Sequence, residues 1–190
     1  MTNTLEFHPV SAANWPDLAA FFTQHGNPNY CWCTRWRLKS TDFKNAKAAE
    51  RREKLAAMII RDNTPVGVMA YHQDKVIGWC SVAPRETYAL LESSTTLKRL
   101  DDLPVWSVVC FFIDPAWRGQ NLSARLLQAA VDYAIAQGAA IVEGYPVEPS
   151  ESYRFMGSPS AFEQVGFRKA GTAKNGRPIL RFLADKKGPA

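Results

Sequence analysis

The 190-residue chain has no apolar run near the roughly 20 residues that a membrane-spanning helix needs, which excludes that class of protein. Its opening stretch, "MTNTLEFHPV", lacks the basic and apolar regions of a secretory signal, so a soluble, cytoplasmic protein is expected. Histidine is scarce, with His8, His25 and His72 isolated from one another. No second cysteine pair and no paired histidine completes a four-ligand zinc site around Cys31 and Cys33, so no metal is expected. The remaining cysteines, Cys80 and Cys110, sit in apolar runs where a reduced thiol packs as a small hydrophobe. Disulfides are not expected. Internal repeats and low-complexity linkers are missing too. The net charge of +5, from 23 Lys and Arg against 18 Asp and Glu, is compatible with an anionic ligand but weak support for nucleic acid.

What is present is a hydrophobic fraction of 46%, enough at this length for one good core and short for two. One domain is expected over residues 1–183, with "ADKKGPA" (184–190) as a disordered tail. "LEFHPV" reads as a short strand, and "NWPDLAAFFTQHG" as a helix with Asn14 as cap, Pro16 in its first turn and Gly26 as its stop. Residues 41–62 suit a single amphipathic helix with a solvated, charged face. "PVGVMAYHQDKVIGWCSVAP" reads as a β-hairpin about "QDK", and "VWSVVCFFI" (105–113) as a central strand covered on both faces. Leu122, Leu126, Leu127, Ala130, Val131, Ala134 and Ile135 recur at helical spacing, with Gly138 as a left-handed stop and "AIVEGYP" as the next strand. A short helix "PSAFEQVG", a strand start "FRKAG", a turn "NGRP" and a last strand "ILRFL" complete the pattern.

Between the central strand and its helix lies "DPAWRGQNLS", a strand-to-helix turn that leaves backbone N–H groups free to meet an anion. It is short of glycine, having Gly119 alone. A nucleoside triphosphate loop needs Lys followed by Ser or Thr after its last Gly, and a dinucleotide fold needs three glycines early in a parallel sheet. Neither is here. The turn and the order of elements over residues 4–183 instead resemble the GCN5-related N-acetyltransferases. That family's signature is Gln or Arg, two residues, Gly, one residue, then Gly or Ala. It aligns with Arg118, Gly119, Gln120, Asn121, Leu122 and Ser123, with Asn121 and Ser123 in the two Gly positions. Asn tolerates positive φ better than other non-glycine residues, which predicts a left-handed backbone at or near Asn121. Ser123 is small and adds a hydroxyl donor. The Gly166–Phe167 pair ending a short helix is a second shared feature.

The resemblance implies an α+β fold: a mixed, mostly antiparallel sheet with one parallel strand pair at the coenzyme site, flanked by helices. It implies acetyl-coenzyme A as co-substrate and direct transfer of the acetyl group to a primary amine of a small molecule or protein. Phe111, Phe112 and Ile113 would hold the pantetheine arm, and the backbone from Arg118 to Ser123 the pyrophosphate. Many members carry a Tyr four residues before the Gly of Gly–Phe. Here the position is Phe162, beside the coenzyme but without a proton to give. The central strand also lacks a carboxylate or His, which leaves Glu143, Tyr145 and then Tyr153 as candidates for proton transfer. In "NPNYCWCTRWRLK", Tyr30, Trp32, Arg35 and Trp36 are candidates for the acceptor site, the alternative being a helix connection packed by tryptophans. A non-catalytic acyl-coenzyme A sensor or a nucleic-acid-binding module on the same fold is the competing function. No membrane partner is expected, and a homodimer is left open.

Overall fold

In the computed structural model, which describes residues 5–148 and 154–184, the β-prone runs form β1 (Leu5–Pro9), β2 (Val68–His72), β3 (Lys75–Pro84), β4 (Trp106–Ile113), β5 (Ile141–Gly144), β6 (Arg168–Thr172) and β7 (Pro178–Leu183). They make one sheet in the order β1-β2-β3-β4-β5-β7-β6. Every described pairing is antiparallel except β4 with β5. The expected tail falls, from residue 185 on, outside the described residues.

Helices cover both faces. On one lies α6 (Leu122–Ala136), which buries Leu122, Leu126, Leu127, Ala130, Val131 and Ala134 against Val82, Val108 and Phe111 of the sheet. Each large aliphatic side chain removed from water there contributes about 1.5–3 kcal/mol. Ile135, counted with that face from its spacing, is 36% exposed and lies at its edge. On the other face are α1 (Trp15–Gln24), α2 (Gly26–Cys31), α3 (Ser40–Asn45) and α4 (Ala48–Ile60), joined to the sheet by Trp15, Leu18, Phe22, Trp32, Leu55 and Trp79. Two short helices complete the described set, α5 (Ala89–Glu92) and α7 (Pro159–Val165).

Three local expectations need correcting. Gly26 does not stop the first helix: His25, extended at φ −121°, does, and Gly26 opens α2. The single helix over 41–62 is broken at Ala46 and Lys47, both extended, and the Lys47 N–H donates to Glu50 Oε2 at 2.8 Å to start α4. Arg51 does not belong to a solvated face. It is buried and donates to the carbonyls of Tyr30 and Phe43 at 2.9 and 2.7 Å, satisfying groups at the C-terminal ends of α2 and α3.

Two features of β4 prepare the site. Ser81 faces Cys110 and Val82 faces Val108, so Val109 is an extra residue bulged out of β4. The parallel ladder to β5 reaches only Val108 and Gly144, while β4 runs on to Ile113. The edge of β4 from Val109 to Ile113 therefore has no strand of the described sheet beside it.

Candidate active site

The turn after β4 folds as its residue types dictate. Asp114 Oδ1 accepts from Ala116 N–H at 2.9 Å, Pro115–Trp117 form one tight turn, and Trp117 rests on the His72 ring. Gly119 and Asn121 are both left-handed, at φ 75° and 58°, the second where its side chain was expected to permit it. No side chain caps the start of α6. Its first backbone N–H groups open on a recess of about 400 Å³ lined by Ile113, Trp117, Arg118, Gly119, Asn121, Leu122 and Ser123. Uncapped donors and the positive helix end give it the electrostatics that suit an anion. Gln120 departs from expectation: it does not line the recess, and its amide donates to the Ala116 carbonyl at 3.3 Å.

A second cavity of about 570 Å³ lies on the face opposite α6, where β3 and β4 meet the α2–α3 connection. Phe22, Trp36, Phe43, Trp79, Phe111, Phe112 and Phe155 make its walls aromatic, and Arg35 brings the fixed charge. Tyr30, Arg35 and Trp36 are brought together there as the sequence suggested. Trp32 is not. It is 2% exposed and packs against Trp15 and Phe22, so it serves the core.

The carboxylate and phenol expected to move protons sit elsewhere. Glu143 is 1% exposed, with Oε1 accepting from Arg85 at 3.2 Å and from the Tyr145 hydroxyl at 2.6 Å, and Oε2 accepting from Arg181 at 2.8 Å. Arg85 also donates to Glu92 at 2.7 Å and to the Leu97 carbonyl at 2.7 Å, and Arg181 reaches Asp101 at 2.6 Å. Burial, then the neighbouring Glu143 charge, holds the Tyr145 phenol well above the usual range, although Arg85 acts the other way. Neither residue lines the cavity. With both Glu143 oxygens and the Tyr145 hydroxyl engaged, and neither residue facing the cavity, the arrangement is that of a buried polar network rather than the proton-transfer pair that was expected. Tyr153 lies outside the described residues.

Phe162 is also corrected. It is fully buried, its ring packed on Gly144 and Gly157 and set edge-on to Phe111 and Phe167, so it fills the core where β4 and β5 part. Phe111 is mostly buried against it, whereas Phe112 faces the cavity beside Phe21 and His25.

Sequence reasoning missed the thiols. Cys31, Cys33 and Cys110 all line the cavity, the last from β4 itself. A Cys-x-Cys pair inside an aromatic loop was the available signal.

The acetyltransferase (GNAT) family model matches residues 20–150, more than half of the chain. The chain belongs to the GNAT family. No curated protein matches it. Among solved structures, a ribosomal-protein-S5-alanine acetyltransferase from Vibrio fischeri superposes with a TM-score of 0.56 at 15% identity, over 97% of this chain and 96% of that one. An N-acetyltransferase, PaiA, from Thermoplasma acidophilum in complex with coenzyme A gives 0.53 at 14% identity, over 95% and 99%. An aminoglycoside acetyltransferase, AAC(6')-Ib, in complex with coenzyme A gives 0.57 at 13% identity, over 95% of each. At these identities the likeness is one of fold: this GNAT chain shares the whole arrangement, strand pair included.

Proposed function

We propose that this protein carries the acetyl group of acetyl-coenzyme A directly to a primary amine, on a small molecule or a protein, that enters the aromatic cavity. One observation carries the reading. The strand β4 borders both recesses, Ile113 lining the anion site at the start of α6, and Cys110, Phe111 and Phe112 lining the cavity. Between them runs the unpaired edge of β4, able to accept an extended arm as another strand would.

The residues present fit the coenzyme. The first turn of α6 is uncapped, and a Cβ at Gly119 would meet nothing within 4 Å, so the backbone there faces open space. Bound, the coenzyme supplies an activated thioester. Arg118 and the N–H groups from Gly119 to Ser123 neutralise and orient the pyrophosphate, and the edge from Val109 to Ile113 aligns the arm. The aromatic walls exclude water from the amine and the thioester. A volume of about 570 Å³ lies within the range of small-molecule sites, which favours a small acceptor over a protein surface.

Two residues of the Trp–Arg segment weigh against the nucleic-acid alternative. Arg37 is 3% exposed and donates to the Val66 carbonyl at 2.9 Å, and Trp32 is in the core, so neither is available to stack on bases. The deciding experiment is an amine panel assayed by release of free coenzyme thiol. Turnover of at least one amine is expected, and coenzyme binding without turnover of any amine would support the non-catalytic sensor.

A further inference from the structure

The sulfur of Cys33 accepts a hydrogen bond from Trp79 Nε1–H at 3.2 Å and lines the cavity together with Cys110, with the Arg37 guanidinium close enough to act on its charge. Trp79 comes from β3 and Cys110 from β4, where it stands opposite Ser81, so the register of the central strands brings the donor and a second thiol to the wall of the same cavity. The turn that presents the sulfur is strained. Trp32 and Cys33 are consecutive left-handed residues, at φ 46° and 49°, and neither is a residue type that favours that region. Such a turn persists because its surroundings hold it, here Trp32 wedged between Trp15 and Phe22.

This surrounding makes Cys33 the thiol that ionises. The Cys110 thiol beside it, then the Arg37 charge and the bond from Trp79, outweigh burial and lower it to about 7. Cys31 is pushed up to about 11 by burial, and Cys110, beside Cys33 and buried, lies well above the ordinary thiol range. Other titratable groups facing Cys33 are Arg35 and Arg37 on its own segment, Cys80 on β3 and the Tyr88 phenol, raised by burial; Arg51 of α4 acts on Cys31. Among the described residues no carboxylate and no imidazole lines the cavity.

We propose that Cys33, as its thiolate, takes the proton that the acceptor ammonium must lose before its nitrogen attacks the thioester. The proposal rests on the acetyltransferase reading above. In the step, one N–H bond of the ammonium breaks and an S–H bond forms on Cys33. The neutral nitrogen then bonds to the acetyl carbon, the carbon–sulfur bond breaks, and the coenzyme thiolate takes the second proton that the new amide sheds. Cys33 returns its proton to solvent through the cavity. Cys110 is a positioning residue that keeps Cys33 ionised.

The test is the pH profile of kcat/KM with the best amine of the panel. The wild type is expected to show an acid limb near the Cys33 value, while Cys33→Ser, nearly the same shape but with no ionisable group there, loses that limb and falls about 100-fold or more at neutral pH. Cys110→Ala is expected to move the limb to higher pH, which a merely structural role would not do. Peptide mapping of iodoacetamide alkylation gives an independent readout: Cys33 should react half-maximally near neutrality, below the ordinary thiol value of about 8.5. An unchanged limb in Cys33→Ser, ordinary alkylation of Cys33, or an acetyl group found on Cys33 after coenzyme alone would overturn the proposal and leave the function intact. Failure of the wild type on every amine would overturn both.

Discussion

Asn121 shows how one residue type can replace another for a physical reason. Its backbone stands at φ 58°, where a β-branched side chain is strained. Asn121→Val is therefore expected to lose about 1–2 kcal/mol in denaturant titrations and to weaken coenzyme binding, whereas Asn121→Gly keeps both. Gly144 is constrained from the opposite direction. A Cβ there would run into the Phe162 ring, which has no room to move in a fully buried setting. Gly144→Ala should cost about 1–3 kcal/mol of stability, read by chemical unfolding. The first of these positions was legible from the sequence, because a left-handed requirement is local and Asn is among the residues that meet it. The second was not, because the constraint comes from a ring on another element.

At the scale of elements, β5 carries a polar network that its sequence could not announce. Glu143 lies on this short apolar strand and Tyr145 just beyond its end, spaced as a catalytic pair would be. Only the neighbouring β7 and the segment at Arg85 reveal that both carboxylate oxygens are taken. Glu143→Gln would leave Arg85 as a buried charge short of its partner, and a loss of about 3–5 kcal/mol is expected, with kcat per folded molecule retained. A drop in kcat without a drop in unfolding midpoint would instead return Glu143 to the chemistry. The helices divide in the same way. The α6 stripe and the β4 run were readable because periodicity and continuous apolarity are properties of one segment. The break at Ala46 and Lys47 was not, since it follows from Glu50 and Arg51 finding partners better than those a continuous helix offers.

For the whole molecule, two recesses on opposite sides of one central strand make binding and stability measurable together. Acetyl-coenzyme A at a hundred times its Kd is expected to add about 2.7 kcal/mol to the unfolding free energy, and no rise in melting temperature at saturating coenzyme would sink the proposed function. No helix among the described residues is long and apolar enough to cross a membrane. The sequence alone determined the order of the strands, the long helix after the central strand and the left-handed turn that opens it. Each follows from spacing or from the allowed backbone of a residue and its immediate neighbours. Tertiary structure alone decided which polar groups meet. Packing buried Glu143, Tyr145 and Trp32, and the register of β3 on β4 brought Trp79 and Cys110 to the cavity wall with Cys33. Contacts between segments distant in the chain depend on how faces stack, and no single segment carries that information.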